Sequence, residues 1–415
     1  MFSHPFGIAW RKALVSIPRL VPDFVLHFTN PEGPQPVVFD LPSRDAHMIP
    51  VYVFIPPAYN PHNRRLQSQG THLKEALRPS PNPNPETDEK LPVLIDFHGG
   101  GFVLGSPQEQ APFCAQMCRE LNCVVISVDY RLGPYAQYPA AIYDAEDVVR
   151  AVTKPSTQAY KTLRQGIRQH LEKEGRPPFG LDETRIALSG FSSGGNLVLN
   201  LALSVKDDPT IQQDWPSPLP WEFENDIPLL LFYPSFDARL LPHERPRPDG
   251  LAAPTGIIER WQIEKELMPT YLPVECRDHP RASPGLADIR PKHAGDHVGL
   301  HPKAKMWLLL PQYDSLHGQS LEWIEKVKNE GRSADLTVEH VKGVVHGWTQ
   351  FPDAWISEEH RRLEAEAFRE ARSFVDMYWN PEVKEMATGE SQSQSINQNE
   401  SQSQSRTQSQ SQSQT

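Results

Sequence analysis

The stretch "RIALSGFSSGGN", Arg185–Asn196, decides the fold. Its first half is a short apolar run of strand character. Directly behind it, "NLVLNLALSV" (196–205) begins a helix. Between them, Gly190-Phe191-Ser192-Ser193-Gly194 satisfies G-x-S-x-G, the pattern of a sharp strand-to-helix turn whose central serine sits in strained backbone. Glycines two residues to either side leave room for the chain to double back. The register separates the serines. Ser192 is central and is the candidate nucleophile, Ser193 supplies a backbone N–H, and Ser189 belongs to the strand. The turn also aims the amide donors of a helix N-terminus at the reaction centre. Because G-x-S-x-G is common by chance, a serine-rich loop stays open as a reading until other residues are counted.

A second stretch, "LIDFHGGGFVLGS" (94–106), places His98-Gly99-Gly100-Gly101 directly after an apolar strand. Three consecutive glycines expose backbone N–H groups, which suits a tetrahedral oxyanion needing two or three fixed donors. A plain turn is the bland alternative. A phosphate loop is another, but neither G-x-x-x-x-G-K-[ST] nor G-x-G-x-x-G is present. His98 is expected to order this loop rather than to act as a base.

A serine nucleophile needs a base, and the base needs an orienting carboxylate. "KMWLLLPQYDSLHG" (305–318) sets Asp314 just beyond an apolar strand, and "LTVEHVKGVVHGW" (336–348) sets His346 just beyond the next. Catalytic groups of an α/β sheet gather where its strands end. The order Ser192, Asp314, His346 is that of the hydrolase architecture. Asp237, in "FYPSFDAR", also follows a strand and competes as the acid. His317, at a helix start, and His340, within a strand, compete less well as the base.

Outward from these motifs, eight apolar runs read as strands: 36–41, 49–56, 92–97, 123–129, 185–190, 227–233, 305–310 and 334–341. Several are continuously apolar, as strands covered on both faces should be. Helical stretches at 108–121, 138–152, 194–205, 315–330 and about 354–379 alternate with them, which indicates an α/β fold with a mostly parallel sheet. Three segments break the alternation. Residues 57–90 form a polar, proline-rich connection expected at the surface or disordered, and 154–180 add a basic helical insertion. Residues 234–290, with a helix near 258–268, join the N-terminal segment 1–35 as a cap over the main body 36–386. The Ser/Gln repeat of 387–415 has nothing to bury and is expected to be disordered.

Composition narrows the classes. The net charge of −11 is spread along the 415 residues, which argues against nucleic acid, since phosphate binding needs a clustered basic face. The four cysteines do not make a disulfide framework in a chain this long. Cys114, Cys118 and Cys123 read as core residues rather than metal ligands, and a reducing, cytoplasmic location is the default. No run approaches the ~18 apolar residues of a membrane span, and no signal peptide is apparent. Residues 1–28 mix aromatic, aliphatic and basic side chains. Pro18 and Pro22 interrupt a helix there, so a lid is favoured over peripheral membrane contact.

Together, "HGGGFVLGS", "VDYRLGPYAQYPAAIYDAEDVVR", "RIALSGFSSGGNL", "LFYPSFD", "ASPGLAD", "YDSL" and "VVHGW" resemble the hormone-sensitive-lipase-like, HGGG branch of the α/β-hydrolase superfamily, with its arylacetamide-deacetylase-like esterases. The resemblance covers about residues 90–350. It implies an α/β-hydrolase fold with an eight-stranded, mostly parallel sheet and a helical cap. It implies Ser192 as nucleophile, Asp314 as acid and His346 as base, with Gly100, Gly101 and Ser193 as oxyanion donors. Phe191 and Ser193 stand where the family usually has Asp and Ala. The expected activity is hydrolysis of an apolar small-molecule ester through an acyl-enzyme, with no cofactor and no metal. An amidase, formamidase or acyltransferase would use the same residues. A non-catalytic ligand-binding receptor on this fold would typically lack the histidine. Oligomeric state and substrate identity are not legible.

Overall fold

The computed structural model describes residues 32–57, 90–208, 213–251, 262–291, 296–351 and 356–380, with Ile8, Lys12, Ala13 and Ser16 near the N-terminus. The strands are β1 (Val37–Pro42), β2 (Met48–Phe54), β3 (Lys90–Phe97), β4 (Val124–Val128), β5 (Gly180–Phe191), β6 (Leu203–Asp208), β7 (Gln213–Trp215), β8 (Ile227–Phe232), β9 (Gly299–Leu300), β10 (Ala304–Tyr313) and β11 (Leu336–Val345). Eight of them form one sheet in the order β1-β2-β4-β3-β5-β8-β10-β11. β2 runs antiparallel to both neighbours, and the remaining pairs are parallel. This is the mostly parallel eight-stranded sheet that the apolar runs imply.

The reason is visible strand by strand. "VVISV" of β4 and "IPLLLF" of β8 are buried at every position, because helices cover both faces of the sheet. The α-helices with fully described bounds are α1 (Ala111–Leu121), α2 (Ala140–Thr153), α3 (Gln158–Lys173), α4 (Ser193–Leu201), α5 (His317–Asn329) and α6 (Glu358–Trp379). On one face, Val93, Ile95 and Phe97 of β3 join a core with Val148 of α2, Leu163 of α3, Leu197 of α4 and Trp323 of α5. On the other, Leu94 joins Phe113 and Met117 of α1 and Phe368 and Phe374 of α6. At the edge, β1 alternates between half-buried and exposed positions over Val37–Asp40 and then buries Leu41 in the main core.

Several local expectations change. The basic helical stretch 154–180 also contributes to the core. Ala159, Leu163, Ile167 and Leu171 of α3 are spaced for one face and are buried in the main core. The helix behind the serine turn ends at Leu201 rather than 205. The Leu201 carbonyl accepts from Ser217 Oγ and the Ala202 carbonyl from His301 N, while Leu203 and Ser204 pair with β9. A small second sheet, β7-β6-β9, results. In the cap, the helix expected near 258–268 is, over its described part, a single turn Ile263–Leu267 followed by a tighter turn Met268–Thr270. Pro269 cannot continue a helix.

The N-terminal segment touches the body where it is described. Ile8 packs against the core, and buried Lys12 donates from Nζ to the Val103 carbonyl at 2.6 Å. The rest of 1–31, residues 58–89 of the proline-rich connection, and 381–415 with the Ser/Gln tail lie outside the described residues. Cys114, Cys118 and Cys123 are buried free thiols. Among the described residues, no helix is long and apolar enough to cross a membrane.

Candidate active site

The serine turn closes where β5 meets α4. Ser192 has φ +55 and ψ −112, a conformation that L-residues hold only when surroundings over-determine it. Three backbone bonds do so. Ser192 N donates to the Phe232 carbonyl at 2.9 Å, and the Ser192 carbonyl accepts from Ser235 N and Asn196 N, each at 3.2 Å. The flanking glycines are sterically required. A Cβ on Gly194 would lie 2.0 Å from the Phe97 carbonyl oxygen, and one on Gly190 would lie 2.3 Å from Gly194. The sequence spacing thus lets α4 start flush against the end of β3.

The structure brings the other two expected residues to this turn. His346 immediately follows β11, and its Nε2 lies 2.9 Å from Ser192 Oγ. Asp314 immediately follows β10, is 2 % exposed, and its Oδ2 lies 2.7 Å from His346 Nδ1. Its second oxygen, Oδ1, accepts from Leu316 N at 2.7 Å, which fixes the carboxylate plane. A carboxylate can only accept, so His346 carries its proton on Nδ1 and Nε2 is left to accept from the Ser192 hydroxyl. The competing residues sit elsewhere. Asp237 is paired with Arg239 at 2.6 Å, His317 contacts the Pro311 carbonyl, and His340 lies within β11.

The glycine loop lies beside the serine. A Cβ on Gly99 would fall 3.5 Å from the Ser192 Cβ. Gly100 takes φ +111, and its carbonyl accepts from Val103 N and Leu104 N at 3.1 and 2.9 Å, so the loop turns back on itself. Ser193 is the first residue of α4, a position whose N–H has no partner within its own helix. His98 is fully buried, donates from Nδ1 to its neighbour's carbonyl at 2.7 Å, and stacks on Tyr130 with ring centroids 4.2 Å apart. Tyr130 OH in turn donates to the His98 carbonyl at 2.7 Å. His98 therefore orders the loop. Met268 and Tyr271 add apolar cover. A Cβ on Gly101 would meet Met268 Sδ, and Tyr271 stacks on Phe102 with centroids 4.4 Å apart.

Two residues of this neighbourhood escape sequence reasoning. Asp96, next to the last residue of buried β3, accepts from Ser189 Oγ at 2.7 Å, Ser127 Oγ at 2.9 Å and Cys114 Sγ at 3.4 Å. Burial outweighs these donors and pushes its carboxyl up to about 6. A charge in the otherwise apolar "PVLIDF" is the signal that could have found it. The other, Tyr233, follows β8 with φ +38 and has its ring beside His346. Nothing in its local sequence marks that contact. Among the described residues, no cluster of His, Cys, Asp and Glu is disposed to hold a metal ion.

Comparison with known proteins places these observations in context. A family model described as alpha/beta hydrolase fold matches residues 94–350, more than half of the chain. An Arabidopsis thaliana protein named "probable carboxylesterase 8" is 40% identical over 123 residues, which is 29% of this chain and 35% of that one. Carboxylesterase NlhH of Mycobacterium tuberculosis is 28% identical over 276 residues, 64% of this chain and 69% of the relative. The chain spans about a third of the length of the first curated relatives it matches. In architecture, an esterase from Pyrobaculum calidifontis superposes with a TM-score of 0.56 at 20% identity, covering 89% of this chain and 94% of that one.

Proposed function

Because the chain belongs to the α/β-hydrolase fold family, in its hormone-sensitive-lipase-like branch, we propose that it is a serine hydrolase of carboxylic esters. The observation that carries this is the unbroken chain Asp314–His346–Ser192, with contacts of 2.7 and 2.9 Å, beside a loop of glycines at the carboxyl edge of the sheet. The esterase and carboxylesterase names of its relatives support the same reaction.

In this mechanism His346 Nε2 takes the Ser192 proton as Oγ attacks the ester carbonyl. Asp314 holds the imidazole in that tautomer and stabilises the cation that forms. The N–H groups of Gly100, Gly101 and Ser193 receive the oxyanion, and removing one such donor typically costs ~2.7–4 kcal/mol. His346 then returns the proton to the leaving alkoxide, and water, activated by the same imidazole, releases the acid from the acyl-enzyme. Ser193 serves through its backbone only. Its hydroxyl is turned to Tyr130 OH at 3.4 Å.

The substrate class is an apolar small-molecule ester. Met268, Tyr271 and Phe102 around the glycine loop support this reading. A series of p-nitrophenyl esters of increasing acyl length tests it. Hydrolysis should be present, lost in Ser192→Ala, and better for acyl chains longer than acetyl. Turnover that persists in Ser192→Ala would reject the mechanism. A preference for charged over apolar acyl groups would reject the substrate class.

A further inference from the structure

We propose that Tyr233 is a positioning residue for His346: its ring and hydroxyl together set where the imidazole stands between Ser192 and Asp314. This rests on the reading of those three residues as the catalytic set.

His346 is weakly held by its own strand. It follows an edge strand, its side chain is 36% exposed, and Gly347 turns the chain immediately afterwards with φ +74. Its ring nitrogens are both committed to Asp314 and Ser192, so they cannot also brace the ring from the side. Tyr233 supplies that bracing. Its ring is buried, with a centroid 4.9 Å from the His346 ring at an interplanar angle of 65° and 5.8 Å from that of Trp348. Its hydroxyl shares a 2.5 Å hydrogen bond with Thr349 Oγ1, itself buried. Tyr233 therefore grips both the imidazole and the turn that carries it.

The backbone of Tyr233 points to the same role. φ +38 is the left-handed region, costly for an aromatic residue. Tyr233 N nevertheless donates to the Leu309 carbonyl at 2.9 Å, which keeps the residue in the sheet. The carbonyl of Phe232 and the N–H of Ser235, on either side, are bonded to Ser192. One four-residue segment thus fixes the nucleophile through backbone and the base through a side chain. The spacing between Ser192 and His346 is set in a single piece of chain. Burial holds the Tyr233 phenol well above its ordinary range, so it stays neutral and is no proton donor or acceptor in the reaction.

The experiment compares Tyr233→Phe, Thr349→Val, the double variant and Tyr233→Leu with the intact chain. The readouts are kcat and KM on a p-nitrophenyl ester, the pH profile of kcat/KM, the rate of fluorophosphonate labelling, and the melting temperature. Tyr233→Phe and Thr349→Val should each lower kcat roughly tenfold at unchanged KM. The double variant should be no worse than either, because both remove one bond. Tyr233→Leu should lose about 10²-fold, the scale of a misplaced catalytic group, slow labelling in parallel, and shift the limb of the pH profile that reports the base. Additive effects in the double variant, or losses that track the folded fraction alone, would overturn the proposal. Ser192→Ala runs alongside. If it abolishes turnover while the Tyr233 variants stay normal, only the positioning role fails. If it retains turnover, the catalytic assignment itself fails.

Discussion

Replacing Asp96 by Asn should stabilise the protein at neutral pH and leave it almost unchanged in acid. The carboxyl sits in β3 with no exposure and three side-chain donors, Ser189, Ser127 and Cys114, besides the Phe97 backbone. Desolvation disfavours its charged form, and these donors only partly offset this, so its folded pKa lies at about 6 against an ordinary 3.8. A raised carboxyl pKa means that the folded state holds its proton longer than the unfolded chain. This residue's contribution is therefore most favourable below pH ~4 and declines as pH rises to about 6, after which it is constant. At ~1.4 kcal/mol per pH unit, the two units amount to about 3 kcal/mol. Asn keeps the shape, accepts one hydroxyl and never ionises. The assay is urea unfolding of both proteins across about pH 4 to 7.5, reported as the difference in unfolding free energy, so that other titrating groups cancel. The difference should be near zero at the acid end and grow to about 3 kcal/mol in favour of Asn by neutral pH. A difference independent of pH, or one that turns against Asn above pH 6, would refute the reasoning and show that the donors outweigh burial.

Other substitutions probe the site more directly. Asp314→Asn should lower kcat by about four orders of magnitude, and adding His346→Ala should cost little more, since such groups act as a unit. Asp237→Asn breaks only the pair with Arg239 and should leave kcat within a few-fold; the reverse ranking in steady-state kinetics would move the acid to Asp237. Gly194→Ala forces a Cβ to 2.0 Å from the Phe97 oxygen, a backbone atom that cannot move aside. It should cost ~1–3 kcal/mol or more and most of the labelling, visible as a lower melting temperature. Gly318→Ala, where a Cβ meets nothing within 4 Å, should melt at or slightly above the parent, by at most ~1 kcal/mol of stability. Ser193→Ala should keep most activity, because the backbone N–H survives.

The sequence carries the sheet because burial on both faces demands apolar runs, and β3, β4, β8 and β10 are nearly uninterrupted. Reversal of β2 is not legible, since "MIPVYVF" alternates burial in either direction. The basic composition of α3 hides its share in the core, which rests on four buried residues at one-face spacing. The end of α4 at Leu201 depends on Ser217 and His301, distant in the chain. Ser192, Asp314 and His346 were legible because each directly follows a strand, and parallel strands deliver their ends to one edge. Tyr233 was not. Its significance lies in a backbone angle and in ring contacts across more than a hundred residues, which no local pattern encodes.

The most direct test of the account is the site of covalent capture. A fluorophosphonate, incubated with the full chain and mapped by peptide mass spectrometry, should form one adduct, on Ser192. The adduct should vanish in Ser192→Ala and form far more slowly in His346→Ala. An adduct on Ser193 or Ser189, or ester hydrolysis that continues in Ser192→Ala without any adduct, would contradict it.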